Sequence, residues 1–143
     1  MLKNRFKKIL IPLDGSSNSI RGLNEGISLA RLGGSQLIAV HVLPVYPKNL
    51  VGTLDTYIRY HNKLTHQFLE KAEISAARHG IKLKQQILFG NDSVKLITNY
   101  AKTSRCNLIV LGSRGKGMPS VGFLGSVSNG VVQSSKIPVL IVK

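Results

Sequence analysis

Five short apolar runs recur along the chain, and segments with helical periodicity separate them. Each run has the length of a strand rather than that of a buried helix. Strands that alternate with helices predict a parallel β-sheet with helices on both faces, because parallel strands need crossover connections. The five predicted strands cover residues 8–14, 36–43, 81–89, 108–111 and 138–142.

This alternation also restricts the order of the strands. Right-handed crossovers leave few topologies, and we expect the order 3-2-1-4-5. Because 143 residues is an ordinary length for one domain, we predict a single doubly wound α/β domain over residues 1–143. In this order the winding reverses between strands 1 and 4, and ligands bind such sheets at the carboxyl ends of the strands beside the reversal. Those ends are Asp14 and Gly112.

A glycine-rich loop begins at the second of these ends and runs from Gly112 to Ser126. It leads from an apolar strand into a segment that can be helical. Glycine lets backbone N–H groups approach a ligand closely, and a helix N-terminus adds partial positive charge. The loop is therefore expected to bind an anion. The alternative is a connection that only turns the chain.

Local signals predict where the elements begin and end. Pro12 should end the first strand, since it has no N–H for a sheet ladder. Ser16 or Ser17 should cap the helix that follows. Gly22 and Gly26 lie four residues apart on that helix, which indicates close packing against the sheet.

A long helix is predicted from about Leu54 to His79. The strand after it begins with alternating apolar and polar residues, which is typical of a half-exposed edge strand. Asp92 should cap the next helix. The expected inner face of the long helix consists of Tyr57, His61, Leu64, Phe68, Ala72 and Ala76.

Charge is the unusual bulk property of the chain: 20 Lys and Arg residues stand against 6 Asp and Glu, for a formal net charge of +14. Such a balance favours anionic ligands, from nucleotides to nucleic acid or an anionic surface. The cations are scattered without interleaved aromatic residues, so a basic solvated surface is preferred over nucleic-acid binding. No apolar run approaches the roughly 20 residues of a membrane span, and no membrane partner is expected.

Motifs for catalysis and metal binding are missing from the sequence. The phosphate-loop pattern fails because Gly117 follows Lys116. His61 and His66 are five residues apart, which does not place two metal ligands on one helical face. The single cysteine, Cys106, is interpreted as a small apolar residue before a strand. Because one cysteine cannot form an internal disulfide, a reducing cytoplasm is the expected location. Weak ATP hydrolysis is the most that we expect of the chain as an enzyme.

The glycines of the loop form the pattern Gly-x2-Gly-x9-Gly-Ser, which resembles the ATP-binding signature of the universal stress protein family. The resemblance covers the whole chain. It implies a site for ATP, with AMP or ADP as alternatives, and Mg²⁺ could bind through the phosphates. The residues that carry it are Gly112, Gly115, Gly125 and Ser126, the run Ile11-Pro12-Leu13-Asp14, the pair His41-Val42 and the closing segment 137–142.

The resemblance also implies roles for individual residues. Asp14 would bond the ribose, and backbone at Val42 would recognise adenine. Pro12 and Leu13 would line the pocket. His41 is interpreted as a core or pocket-wall histidine rather than as a general base.

The same resemblance places Gly112 beside the ribose and Gly115 beside the phosphates. Arg114 can neutralise part of the phosphate charge or point to solvent, and for Lys116 solvent is preferred. Backbone N–H and hydroxyl groups would hold the phosphate oxygens at Gly125, Ser126, Val127 and Ser128.

The resulting hypothesis is a cytoplasmic stress-response regulator whose conformation depends on bound nucleotide. The resemblance suggests a homodimer through the last strand, 138–142, whose apolar edge would otherwise be an aggregation hazard. The alternative is a scaffold or interaction dimer that binds no nucleotide and uses its basic surface for acidic proteins or nucleic acid.

Overall fold

The computed structural model describes residues 4–115 and 124–143 of the chain. Five strands in these ranges form one parallel sheet, in which the third strand of the chain and the fifth lie at the two edges. The order along the sheet is 3-2-1-4-5, which confirms the predicted fold class and topology. The strands are β1 (Lys8–Pro12), β2 (Gln36–Leu43), β3 (Leu83–Phe89), β4 (Leu108–Gly112) and β5 (Val139–Val142).

Helices connect the strands and cover both faces of the sheet. One short helix, between the second strand and the long helix, has no counterpart among the elements predicted from the sequence. Pro47 lies at the N-cap of that helix, where its missing N–H costs nothing. The helices are α1 (Ser17–Gly33), α2 (Lys48–Val51), α3 (Asp55–Ala77), α4 (Ser93–Thr103) and α5 (Ser126–Ser134).

The apolar core has two halves, one on each face of the sheet. On one face α1 and α3 pack over side chains such as Ile9, Ile11 and Leu37. On the other face α4 and α5 pack over side chains such as Leu10 and Ile109. Consecutive residues of β1 therefore enter opposite halves, as expected of a central strand that is buried on both sides.

The first helix begins and ends as the sequence indicates. Ser16 is its N-cap, and the Ser16 hydroxyl accepts a hydrogen bond from Ser19 N at 3.1 Å. Gly34 ends the helix in the left-handed conformation, with φ at 67°. A methyl group at Gly22 would lie 3.2 Å from Gly112 N. The predicted close packing of this helix against the sheet is therefore confirmed.

The predicted inner face of the long helix needs correction. Its fully buried residues are Thr65, Leu69, Ala72 and Ala76, whereas Tyr57 is 51% exposed. At 1.5 Å per residue, 23 residues span about 35 Å, and the eight residues of β2 span only about 26 Å. The N-terminal turns of α3 thus extend past the sheet, where Tyr57 and Tyr60 are exposed.

The two edge strands differ in burial from the central ones. β3 is half-exposed along most of its length, as predicted for an edge strand. β5 at the other edge is also only partly covered. Among the residues that the structure describes, no helix combines the length and apolarity needed to cross a membrane.

Candidate functional site

A cavity of about 300 Å³ lies at the carboxyl ends of β1 and β4, where the winding of the sheet reverses. This volume is at the lower end of the range of small-molecule sites. All the site residues predicted from the sequence line it: Pro12, Leu13, Asp14, Val42, Gly112, Arg114, Gly115, Gly125, Ser126, Val127 and Ser128.

Asp14 supplies a carboxylate with a fixed orientation. It lies two residues after the end of β1, and its Oδ1 accepts a hydrogen bond of 2.9 Å from Ser16 N in the turn before α1. Its Oδ2 is directed toward Gly115, where a methyl group would lie only 2.6 Å from that oxygen. The lack of a side chain at Gly115 therefore leaves room for the carboxylate beside the loop backbone.

Gly112 has a packing role in addition to its place in the cavity wall. A methyl group there would lie 2.6 Å from the carbonyl carbon and oxygen of Asn18, in the first turn of α1. Backbone atoms cannot move aside as easily as the end of a flexible side chain. Glycine at this position thus allows α1 to approach the end of β4.

The N-terminus of α5 opens on the same cavity. The N-cap is Gly125, which provides no side-chain cap, and its N–H donates to Ser113 O at 2.8 Å. The first N–H groups of any helix have no acceptor within the helix, and they carry the positive end of its dipole. Since Gly125, Ser126, Val127 and Ser128 all line the cavity, this end of α5 is placed to meet an anion.

Ser128 is already used within the loop. Its side chain is buried, and its Oγ lies 2.7 Å from Ser113 O and 3.0 Å from Gly125 O, so the hydroxyl proton is donated inside the protein. This bond ties the start of α5 to the residue after β4. A ligand at Ser128 therefore has the backbone N–H as its donor.

Six further residues line the cavity, and sequence reasoning considered only one of them, His41, as a wall residue. Three of the six are apolar and three are polar. Helical periodicity predicts Ile97 on the inner side of α4, but it does not say which inner residues border a cavity. The six are Ser19, Val40, His41, Ser93, Ile97 and Leu111.

His41 belongs to this wall, as predicted. Its Nδ1 lies 2.6 Å from Leu13 O, and its ring packs edge to face against Phe68 with 4.9 Å between the centroids. These contacts hold the ring in one orientation. The histidine thus has a structural position at the end of β2.

The cations near the loop are only partly described. Arg114 is half-buried and lines the cavity. Lys116, for which solvent was the preferred interpretation, lies outside the described residues. In the ranges 4–115 and 124–143, no group of three or more His, Cys, Asp or Glu residues is arranged to hold a metal ion.

Cys106 lies two residues before β4, at the end of that strand opposite the cavity. It is 4% exposed and packs in the half of the core beneath α4 and α5, in agreement with its interpretation as a small apolar residue. Burial raises the pKa of its thiol, and the charge of Lys8 opposes part of that rise. The thiol is therefore protonated and poorly nucleophilic at neutral pH.

The fold and the cavity together define a doubly wound α/β protein whose ligand crevice lies at the reversal of its sheet. The chain belongs to the universal stress protein family, whose family model matches residues 5–143.

Individual relatives support this assignment over nearly the whole chain. The universal stress protein YxiE of Bacillus subtilis is 32% identical over 148 residues, which cover 96% of this chain and 99% of that protein. The solved structure of the universal stress protein UspA from Lactobacillus plantarum has a TM-score of 0.88 at 24% identity, and the match covers 97% of this chain and 99% of that one. The fold of the family is thus shared throughout.

Two other solved structures with this fold contain an adenine nucleotide. A universal stress protein in complex with cAMP has a TM-score of 0.73 at 23% identity, covering 96% of each chain. A universal stress protein from Archaeoglobus fulgidus in complex with dAMP has a TM-score of 0.69 at 22% identity, covering 96% of this chain and 98% of that one.

Proposed function

We propose that the chain binds an adenine nucleotide in the cavity at the end of β1 and β4, with ATP as the expected ligand and AMP or ADP as alternatives. The observation that carries this proposal is the meeting of an oriented carboxylate, Asp14, with the uncapped N-terminus of α5 in one cavity. The cAMP and dAMP complexes of proteins with the same fold support the choice of adenine.

The base and the sugar fit the part of the cavity beside β1 and β2. Val40, Val42 and Ile97 provide an apolar wall for the adenine ring. Backbone at Val42 is the expected donor and acceptor for its polar edge. The Asp14 carboxylate is the expected acceptor for ribose hydroxyl groups, since hydrogen bonds to a charged group are stronger than neutral ones.

The phosphates fit the part beside α5. The helix dipole and the first N–H groups of α5, from Ser126 to Ser128, favour negative charge there. Arg114 borders the same space and supplies a full positive charge. Mg²⁺, where present, would be held through the phosphates themselves. None of the described residues that line the cavity is a lysine, and the phosphate-loop motif is missing from the sequence, so we propose that the site retains ATP rather than hydrolysing it rapidly.

Nucleotide binding would link the two ends of the glycine-rich loop, since Gly115 and Gly125 both line the cavity. We propose that the surface formed by this loop is what a protein partner in the stress response recognises, in the cytoplasm. A homodimer through the edge of β5, at 138–142, is part of the same proposal. Leu140 on that strand is 38% exposed, and pairing of two copies would cover it.

Released nucleotide gives the first test. The purified protein is denatured by heat, and the supernatant is analysed by absorbance and chromatography. The melting temperature is then measured with ATP, ADP, AMP and cAMP. A ligand at a hundred times its Kd adds about 2.7 kcal/mol of stability, or roughly 5–10 °C for a chain of this size. No released nucleotide together with no shift at millimolar ATP would refute the proposal and favour the nucleotide-free scaffold.

Two glycine variants test the placement of the phosphates. Gly115→Val puts a branched side chain where Asp14 Oδ2 lies, and Gly125→Val adds bulk 3.4 Å from Arg114 Cα. Both should abolish binding while the circular dichroism spectrum stays native. Gly52→Ala is the control, because nothing lies within 4 Å of its Cβ position. Normal ATP binding by both valine variants would show that the phosphates lie elsewhere, and ATP turnover above the Gly125→Val background would reveal hydrolysis.

A further inference from the structure

The end of the molecule opposite the cavity carries a dense set of cations. The strands are parallel, so their amino ends lie together there with the C-termini of the connecting helices. Gln36 N donates to Lys7 O and Asn107 N donates to Lys8 O, both at 2.8 Å, which joins the starts of three strands in one row. Eight exposed cations, here called the basic end, lie at this edge: Arg5, Lys7, Arg31, Arg78, Lys82, Lys102, Arg105 and Lys136.

The acidic residues of the chain lie elsewhere. Glu73 is the nearest, one turn before the end of α3, and its carboxylate accepts a hydrogen bond from Gln85 Nε2. Glu25 and Glu70 lie farther back along their helices, at least seven residues from the helix ends. The remaining three are at the opposite end of the molecule: Asp14, Asp55 and Asp92. The positive charge of the basic end is therefore not neutralised locally.

Stabilisation of helix dipoles explains only part of this set. Arg31 and Lys102 lie in the last turns of α1 and α4, where a cation is favourable. Lys8 also stabilises the C-terminus of α4, because its Nζ donates a hydrogen bond of 3.0 Å to Ser104 O. Arg105 and Lys136 follow the C-caps of α4 and α5 and can act in the same way. Arg5, Lys7 and Lys82, in contrast, lie in no helix and next to no helix C-cap. Their concentration at one end has no such structural cause.

The cations are spread over an area rather than along a line. Arg31 and Arg78 belong to the helix layer on one face, and Lys136 belongs to the layer on the other. Two helix layers separated by a sheet are about 20 Å apart, and five strands are about 19 Å wide. A planar anionic surface can contact the whole of this area.

The large apolar side chain of Leu32 lies among these charges. Leu32, in the last turn of α1, is 88% exposed. The Asn4 side chain donates to Gly33 O, so the segment that carries Arg5 lies beside this turn. Insertion among lipid acyl chains would remove this side chain from water, whereas contact with the sugar-phosphate backbone of a nucleic acid would not.

We propose that the basic end docks on an anionic lipid surface, with its Lys and Arg side chains at the headgroup phosphates and Leu32 inserted between the lipids. Such peripheral binding needs no membrane-spanning helix. It goes beyond the nucleotide site and uses the other end of the sheet, so the cavity stays open to solvent in the docked protein.

Vesicle co-sedimentation of the full chain tests this proposal. Vesicles of phosphatidylcholine with 30% phosphatidylglycerol should bind the protein at low salt, and pure phosphatidylcholine vesicles should not. Each Lys or Arg near an anionic surface changes binding about fivefold. The triple variant Arg31→Glu, Lys82→Glu, Lys136→Glu removes one cation from each layer and should lose at least a hundredfold in affinity.

A second triple variant is the matched control. Lys48→Glu, Lys63→Glu, Lys95→Glu makes the same change in net charge at exposed residues outside the basic end, and it should keep most of the vesicle binding. Leu32→Ser should weaken vesicle binding about tenfold without lowering the melting temperature, because the leucine is solvated in the free protein. This variant keeps the test decisive even if the first triple variant does not fold.

Three results would overturn the proposal. One is equal loss of vesicle binding in the two triple variants, since net charge alone would then be responsible. Another is equal binding to neutral and anionic vesicles. The third is tighter binding to a 30-base-pair DNA duplex than to vesicles at the same salt concentration, together with no effect of Leu32→Ser on vesicle binding. That result would assign the basic end to nucleic acid.

Discussion

The contact between α1 and the end of β4 predicts a large effect of the substitution Gly112→Ala. The added methyl group would lie 2.6 Å from the carbonyl carbon and oxygen of Asn18, whereas ordinary contact begins at 3.4 Å. About 0.8 Å must therefore open between two backbone segments. Overpacking of a core costs about 1–3 kcal/mol, and the upper part of that range applies because no flexible side chain can move aside.

For a chain of this length, 3 kcal/mol lowers the melting temperature by roughly 6–12 °C. Circular dichroism melts and urea titrations of Gly112→Ala measure it. The control is Gly52→Ala at the end of α2, where the backbone is right-handed helical, with φ at −62° and ψ at −42°. That substitution should leave stability unchanged or raise it by up to about 1 kcal/mol, since alanine restricts the unfolded chain.

The reasoning is refuted if Gly112→Ala melts within 2 °C of the parent protein. In that case α1 does not approach β4 as closely as described, and the glycine has no packing role. If stability falls as expected, nucleotide affinity should fall with it, because a displaced α1 also moves the turn that orients Asp14.

Further predictions concern single side chains. Ser16→Ala should cost about 1 kcal/mol in urea denaturation and Ser17→Ala less than about 0.5, because Ser16 alone caps α1. Cys106 should resist iodoacetamide at pH 8 until the protein unfolds. Burial raises the pKa of the Cys106 thiol above its value in the unfolded chain. The thiol therefore stabilises the fold fully at pH values below its unfolded pKa, and this stabilisation is lost as pH rises through its folded pKa. The variant Cys106→Ala should not show that loss. Asp14→Asn should weaken ATP binding at least tenfold by calorimetry, since hydrogen bonds to charged groups contribute about 1.5–3 kcal/mol.

The sheet and the location of its crevice could be predicted because each depends on a local pattern joined to a general rule. Strands that alternate with helices leave few topologies when crossovers are right-handed. The reversal then follows from the strand order, and with it the meeting of Asp14 and Gly112. The glycines at 115 and 125 indicated where backbone approaches that point, and the structure places both in the cavity wall.

The parts that could not be predicted depend on distances between elements. The predicted inner face of α3 included Tyr57, which is exposed because the helix is longer than the strands that it covers. The sequence predicts that Val40 and Ile97 are buried, because periodicity distinguishes inner residues from outer ones. It does not distinguish a core residue from a residue in a cavity wall. The hydroxyl of Ser128 was expected to face phosphate, but it donates a hydrogen bond to Ser113 O. That contact depends on the distance between the start of α5 and the end of β4, which the sequence does not give.

The separation of the two ends of the sheet decides which charges act on a bound nucleotide. Asp14 lies seven residues after Lys7 along extended chain, a distance of about 23 Å. At physiological ionic strength the Debye length is about 8 Å, so the basic end is largely screened from the cavity. Phosphate charge must then be balanced locally, by Arg114 and the N-terminus of α5. We therefore expect the triple variant of the basic end to keep its ATP affinity within twofold in calorimetry at 0.15 M salt, and Arg114→Gln to lose about fivefold. Equal losses in the two proteins would mean that the net charge of +14, rather than the local groups, governs nucleotide binding.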